Sequence, residues 1–118
     1  MEQIVKIGNT EVPMRCSGAT YIFYRNIFHE DLFTALQKIG TAQADKEPLP
    51  DGAVETLMKA AYVMARQATK TDKDFVEWLD QFEFLDAVDS VEAVYLLLST
   101  DQQTIEEAKK NNEPQTGE

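Results

Sequence analysis

The chain has 118 residues, with 11 lysines and arginines against 21 aspartates and glutamates, giving a formal charge of −10. The charge is segregated: residues 1–71 hold eight acids and eight bases, whereas residues 72–118 hold thirteen acids against only Lys73, Lys109 and Lys110. Such a balance excludes a general nucleic-acid binder, which needs basic groups to displace counterions, and a protein that docks on anionic lipid. It suits solubility and basic partners.

Hydrophobic residues make up 43% of the chain, enough to build a core in one small domain. Cys16 is the only cysteine, so an intrachain disulfide and a thiolate metal site are both ruled out. The N-terminal residues lack the apolar stretch of a secretion signal. The longest apolar run, Ala93 to Leu98, is far shorter than the roughly 20 residues that span a bilayer. These features lead us to expect a soluble protein of a reducing cytoplasm, with no membrane partner.

In chain order, Ile4 and Ile7, the turn signal Gly8-Asn9-Thr10, and Val12 with Met14 predict a β-hairpin over residues 3–15. Ser17 is a helix cap, and a helix over 17–28 follows, carrying Tyr21, Phe23, Tyr24 and Phe28. Its aromatic content makes strand the rival reading. Leu32, Leu36 and Ile39 predict a helix over 30–39 that stops at Gly40.

Residues 40–53, with Gly40, Pro48, Pro50 and Gly52, read as a surface loop. Asp51 is the expected cap of a helix over 52–69, whose apolar face is Val54, Leu57, Met58, Ala61, Ala65 and Ala68. A helix over 72–83 is expected to start at Thr71 and to present Phe75, Trp78, Leu79 and Phe82. Another, over 89–107, takes Asp89 as its cap and Val91, Val94, Tyr95 and Leu98 as its buried face. Residues 108–118 read as a flexible, disordered acidic tail. The expected fold is thus a small, mostly α domain with a short N-terminal β-hairpin.

Catalytic and metal-binding patterns are poor. His29 is the only histidine, so one His and one Cys16 are all that nucleophilic catalysis has to draw on. His29-Glu30-Asp31 lacks the spacing of a helical metal motif. Asp72 and Asp74 begin like a calcium loop, but Val76 stands where a third oxygen ligand is needed. The glycines are isolated, so no phosphate-binding loop is present. We therefore expect no enzyme and no cofactor.

Two patterns in the acidic part stand out. Glu77, Asp80, Glu83, Asp86, Asp89 and Glu92 recur every three residues. Three residues turn an ideal helix by about 300°, so the row would circle the axis unless the helix breaks. The cap at Asp89 favours a break within 83–88. Threaded among these acids is a cluster of large apolar residues, Phe75, Trp78, Leu79, Phe82, Phe84 and Leu85. Leu79 and Phe82 are expected in the core, and Trp78 and Phe84 point to other faces where a partner helix is a natural occupant.

The order of these segments resembles a known family. It runs from the hairpin Val5-Lys6-Ile7-Gly8-Asn9-Thr10-Glu11-Val12-Pro13-Met14 through Tyr21-Ile22-Phe23-Tyr24-Arg25 to Leu57-Met58-Lys59-Ala60-Ala61-Tyr62-Val63-Met64-Ala65-Arg66-Gln67-Ala68. It ends on Asp74-Phe75-Val76-Glu77-Trp78-Leu79-Asp80-Gln81-Phe82. Together they resemble the tail assembly chaperones of long-tailed siphophages and of prophages in Gram-positive bacteria.

The resemblance implies a non-enzymatic protein of the bacterial host's cytoplasm, absent from the mature virion. It would bind and solubilise the tape measure protein and help the tail tube to assemble. It implies a homo-oligomer, and a frameshift-extended form that recruits the tail tube protein. The residues expected to meet a partner are Tyr62, Phe75, Trp78, Phe82, Phe84 and Leu85. Two rival readings are an acidic decoy that mimics nucleic acid to inhibit a host protein, and a small enzyme built around His29, Cys16 or paired acids.

Overall fold

The computed structural model describes residues 1–112, and side-chain surroundings for residues 1–100. Among the described residues the order is two strands and then five helices: a helical domain that opens on a β-hairpin.

Strands β1 (Glu2–Ile7) and β2 (Thr10–Arg15) pair antiparallel, with Val5 opposite Val12 and Ile7 opposite Thr10. The register leaves a two-residue turn, Gly8-Asn9, with Gly8 at φ +63°. A positive φ at the first central position is what such a hairpin turn demands, and glycine meets it without a Cβ penalty. Val5, Ile7, Val12 and Met14 face inward. The inward pair on β1 is therefore Val5 and Ile7, two residues apart, and Ile4 lies on the open face, 61% exposed. A hairpin this small is marginal alone, and here it lies on two helices described below.

Helix α1 (Gly18–Phe28) begins at a reciprocal cap: the Ser17 side chain takes N–H groups of the first turn, and Thr20 Oγ1 accepts from the Ser17 N–H at 2.9 Å. The buried Thr20 hydroxyl donates to Gln67 Oε1 at 2.6 Å, tying this cap to the far helix that carries Gln67. His29 ends α1 in the left-handed region, φ 58°. Asp31 then caps α2 (Leu32–Ala44), accepting from Phe33 N–H at 3.0 Å and from the Thr34 hydroxyl at 2.7 Å. Helix α2 does not stop at Gly40. It runs on because Ala42 continues its buried stripe, and at Gly40 a Cβ would stand only 3.1 Å from the Tyr95 hydroxyl. That glycine serves close packing within the helix and does not terminate it.

Helix α3 (Ala53–Ala68) is the centre of the molecule, in contact with β2 and with α1, α2 and two later helices. Its cap is Gly52, with no side-chain bond, so Asp51 does not play that part. Leu57, Met58 and the continuous run Ala60 to Ala65 are all buried, a wider face than one stripe because neighbours cover α3 on several sides. The alanines let those neighbours approach closely, and each large side chain buried here contributes roughly 1.5–3 kcal/mol.

Helix α4 (Phe75–Asp80) is a short turn of helix that starts at Asp74, not at Thr71. Asp74 and Glu77 cap each other's backbone N–H groups, at 2.8 and 3.2 Å. Helix α5 (Phe84–Asn112) begins after a break at 81–83, where Glu83 C=O accepts from the Ala87 N–H at 3.0 Å. Asp89 is thus inside α5. The stripe Ala87, Ser90, Val94, Leu97 and Leu98 is buried from the first turn onward and carries the helix straight through that cap-like signal. Residues 108–112, expected in the tail, belong to α5, and 113–118 lie outside the described residues. The hairpin packs through β1 on α5 and through β2 on α3.

Candidate functional site

A groove of about 620 Å³ lies where α3, α4 and the start of α5 meet. Its walls follow from helical spacing. Val54 and Met58, four apart, come from the first turns of α3. Phe75, Val76, Leu79 and Asp80 share one face of α4, joined by Phe82 from the break. Phe84, Ala87 and Val88, at i, i+3 and i+4, come from the first turns of α5. Only Glu55 and Asp80 bring charge to the lining. The size is that of a small-molecule site or of a groove that takes a few apolar side chains.

A ladder of aromatic rings holds the α4 wall in place. Phe28 meets Phe75 edge-on at 5.4 Å, and Phe75 meets Tyr62 at 5.8 Å. Tyr62 then meets Trp78 at 5.6 Å, and Trp78 meets Phe82 at 5.1 Å. Edge-on and tilted rings at these distances add about 0.5–1.5 kcal/mol each beyond the area they bury. The Tyr62 hydroxyl donates to the Lys73 carbonyl, which pins the loop leading into α4. Arg66 lies over the Tyr62 ring, 5.6 Å from its centre.

The six residues expected at a partner surface separate into two groups. Phe75 and Phe82 are half-buried and line the groove, and Phe84 stands at its rim, 78% exposed. Leu85, 70% exposed, follows Phe84 but does not line the cavity. Tyr62 and Trp78 are in the core, 2% and 5% exposed, and in this conformation they offer a partner no surface. Their place is behind the groove wall. Leu79 and Phe82, expected in the core, are both half-buried: each packs against the core and also lines the groove. Sequence reasoning missed Val54, Val76 and Val88. Val54 and Met58 were legible as an apolar pair but read as core, because nothing local says where α4 stops covering α3.

Beside the groove, Lys59 Nζ bridges Glu55 and Glu30, each at 3.3 Å, and sits 5.2 Å from the Phe28 ring centre. Burial works against its charge, but the hydrogen bonds it donates to the Glu30 and Glu55 carboxylates outweigh that and hold it above the usual lysine range. The Tyr24 hydroxyl donates to Glu30 at 3.1 Å. Burial, and then the Glu30 charge, push that phenol well above its ordinary value. This network fastens the end of α1 to α3. Among the described residues Asp80, Glu83 and Asp89 have no ion pair.

Other chemistry finds little support in the geometry. Buried Cys16 precedes α1 and exposed His29 follows it, so roughly 16 Å of helix separates them. Among the described residues no group of three or more His, Cys, Asp or Glu side chains is placed to hold a metal ion. No helix among them is long and apolar enough to cross a membrane. Compared with family models, with curated proteins and with solved structures, the chain matches none.

Proposed function

We propose that this chain is a non-enzymatic tail assembly chaperone, of the kind its sequence resembles in siphophages and prophages. In this reading it acts in the cytoplasm of the bacterial host, holds the tape measure protein in solution while the tail tube assembles, and leaves before the virion is complete. Copies of the chain associate along one long client, and a frameshift-extended form brings in the tail tube protein.

The observation that carries the proposal is the apolar groove with Phe84 and Val76 exposed at it, 78% and 71%, inside an acidic surface. A protein that keeps a sticky client soluble needs both: apolar area for the client and charge to keep the complexes apart. Aromatic side chains supply that area with few rotors to freeze.

The test is co-expression of the chain with fragments of the tape measure protein encoded beside it. The wild type is expected to move at least one fragment from the pellet to the supernatant. Phe84→Ala together with Val76→Asn should reduce the soluble fraction severalfold at unchanged thermal stability. A fragment that stays insoluble with the wild type, across the whole tape measure length, overturns the proposal.

A further inference from the structure

We propose that the groove selects an amphipathic helix whose apolar stripe is flanked by lysine or arginine, and that the acids around the groove, not its apolar lining, set this choice. The inference rests on reading the groove as the client site and adds the chemistry of what enters it.

Three observations favour a helix with basic flanks. First, every residue lining the groove except Phe82 in the break lies on a helix, and no residue of the hairpin lines it. An extended segment would find no strand edge to pair with and would bury its own N–H and C=O groups unsatisfied. A helix brings its backbone bonds already made.

Second, the chain from Asp74 to Ala108 contains ten acids and no lysine or arginine. The stretch that forms two of the three walls therefore brings acids and no basic residue: Asp80 lines the groove and Glu77, Glu83 and Asp89 lie on the same two helices or the break between them, whereas Asp86 faces Gly8 of the hairpin turn. Third, Glu55 on the opposite wall already has Lys59 at 3.3 Å, whereas Asp80 lines the groove without an ion pair among the described residues. Uncompensated carboxylate charge thus lies on the α4 and α5 side, where it attracts a basic flank and repels an acidic one.

The same charge argues against a second copy of this chain as the occupant. Docking by this face would bring two acidic α4–α5 surfaces together, and like charges across an interface cost affinity.

The test uses the full chain and three synthetic peptides of one helical sequence, with leucine at i, i+3, i+4 and i+7. One has lysine flanks, one glutamate flanks and one glutamine flanks. Fluorescence anisotropy is expected to give the lysine peptide about a tenfold lower Kd than the glutamate peptide at low salt. That preference should shrink severalfold when sodium chloride rises from about 50 to about 300 mM. Asp80→Asn with Glu83→Gln should remove the preference between the lysine and glutamate peptides. Phe84→Ala with Val76→Asn should weaken all three peptides.

Equal binding of lysine and glutamate peptides overturns the inference. So does a concentration-dependent dimer of the wild type that Phe84→Ala abolishes, because the groove would then belong to a second copy. A peptide preference without tape measure solubilisation sinks the chaperone reading alone. Solubilisation without any preference for basic flanks sinks this inference alone.

Discussion

Residues 1–71 and the acidic stretch beginning at residue 72 solve different packing problems. The first part is electrically balanced and supplies most of the core: the inner face of the hairpin, Tyr24, Leu32, Leu36, Ile39, and nearly every residue from Leu57 to Ala65. Among the described residues, the second supplies Trp78 and one stripe of α5, with Phe75, Leu79, Phe82, Val91 and Tyr95 half-buried against the core. An acidic segment can stay folded on this apolar face because none of its described carboxylate residues is buried there. Its carboxylates remain solvated and incur little burial penalty. Exposed apolar residues are not confined to it, as Ile4, Ile22 and Phe33 show. What sets the second part apart is that three of its exposed apolar residues, Val76, Phe84 and Leu85, gather beside a groove, Leu96 lying elsewhere on α5, and the groove lies on the seam between the two parts.

The largest expected effect breaks that seam from behind. Tyr62→Ala removes the ring at the centre of the aromatic ladder and leaves the Lys73 carbonyl without its donor. Truncating a buried aromatic costs about 3–5 kcal/mol, so urea unfolding should show a large drop in midpoint, and α4 should lose protection from hydrogen exchange first. Phe84→Ala is the contrast: at 78% exposure it should change stability by no more than about 0.5 kcal/mol. Equal destabilisation by the two would mean that Phe84 is structural and that the division drawn here is wrong.

A smaller effect tests the hairpin's hold on the acidic part. Gly8 sits at φ +63°, and a Cβ added there would collide with the carboxylate of Asp86 on α5. Gly8→Ala should therefore cost about 1–3 kcal/mol. In the Asp86→Ala background the cost should fall but not vanish, because the collision is relieved and the backbone strain is not. A cost identical in both backgrounds would show that the turn and α5 are not in contact.

The hairpin and the helix count were legible because their signals are local: period-two burial on β1 and β2, Ser17 before α1, an apolar face on α3. Boundaries failed where a local signal was overruled by packing. Asp89 with Glu92 looks like a helix start, yet Ala87 before it and Ser90 after it are both buried and hold the helix through that point. Gly40 looks like a stop, but Tyr95 needs the space it leaves. The groove was half legible. Phe75, Phe82 and Phe84 stood out by size. Trp78 could not be distinguished from them by sequence, because its burial depends on Tyr62 and Phe82 reaching it from other segments. Val54 and Val88 were invisible as site residues for the converse reason: only the arrangement of three helices leaves them uncovered.

The smallest expected effect asks whether the balanced part also answers to acid. Asp31 is exposed, yet its carboxylate accepts from the Thr34 hydroxyl and from the Phe33 and Thr34 N–H groups. The Thr34 hydroxyl bond is the main cause that holds it below the usual aspartate range, and Arg25 contributes. The folded value lies below the unfolded one, so the cap's contribution is complete above the unfolded value near pH 4 and is lost as pH falls through the folded value. A carbon-detected NMR titration should place the Asp31 midpoint below that of an aspartate in a short peptide. Thr34→Val, which removes the leading donor, should move the midpoint back upward while the backbone bonds persist. Asp31→Asn keeps a capping side chain but no titrating group, so its stability should fall less steeply than the wild type's between neutral pH and about pH 3. A midpoint at the ordinary value in the wild type would mean that the Asp31 cap is not formed in solution, and that α2 starts without it.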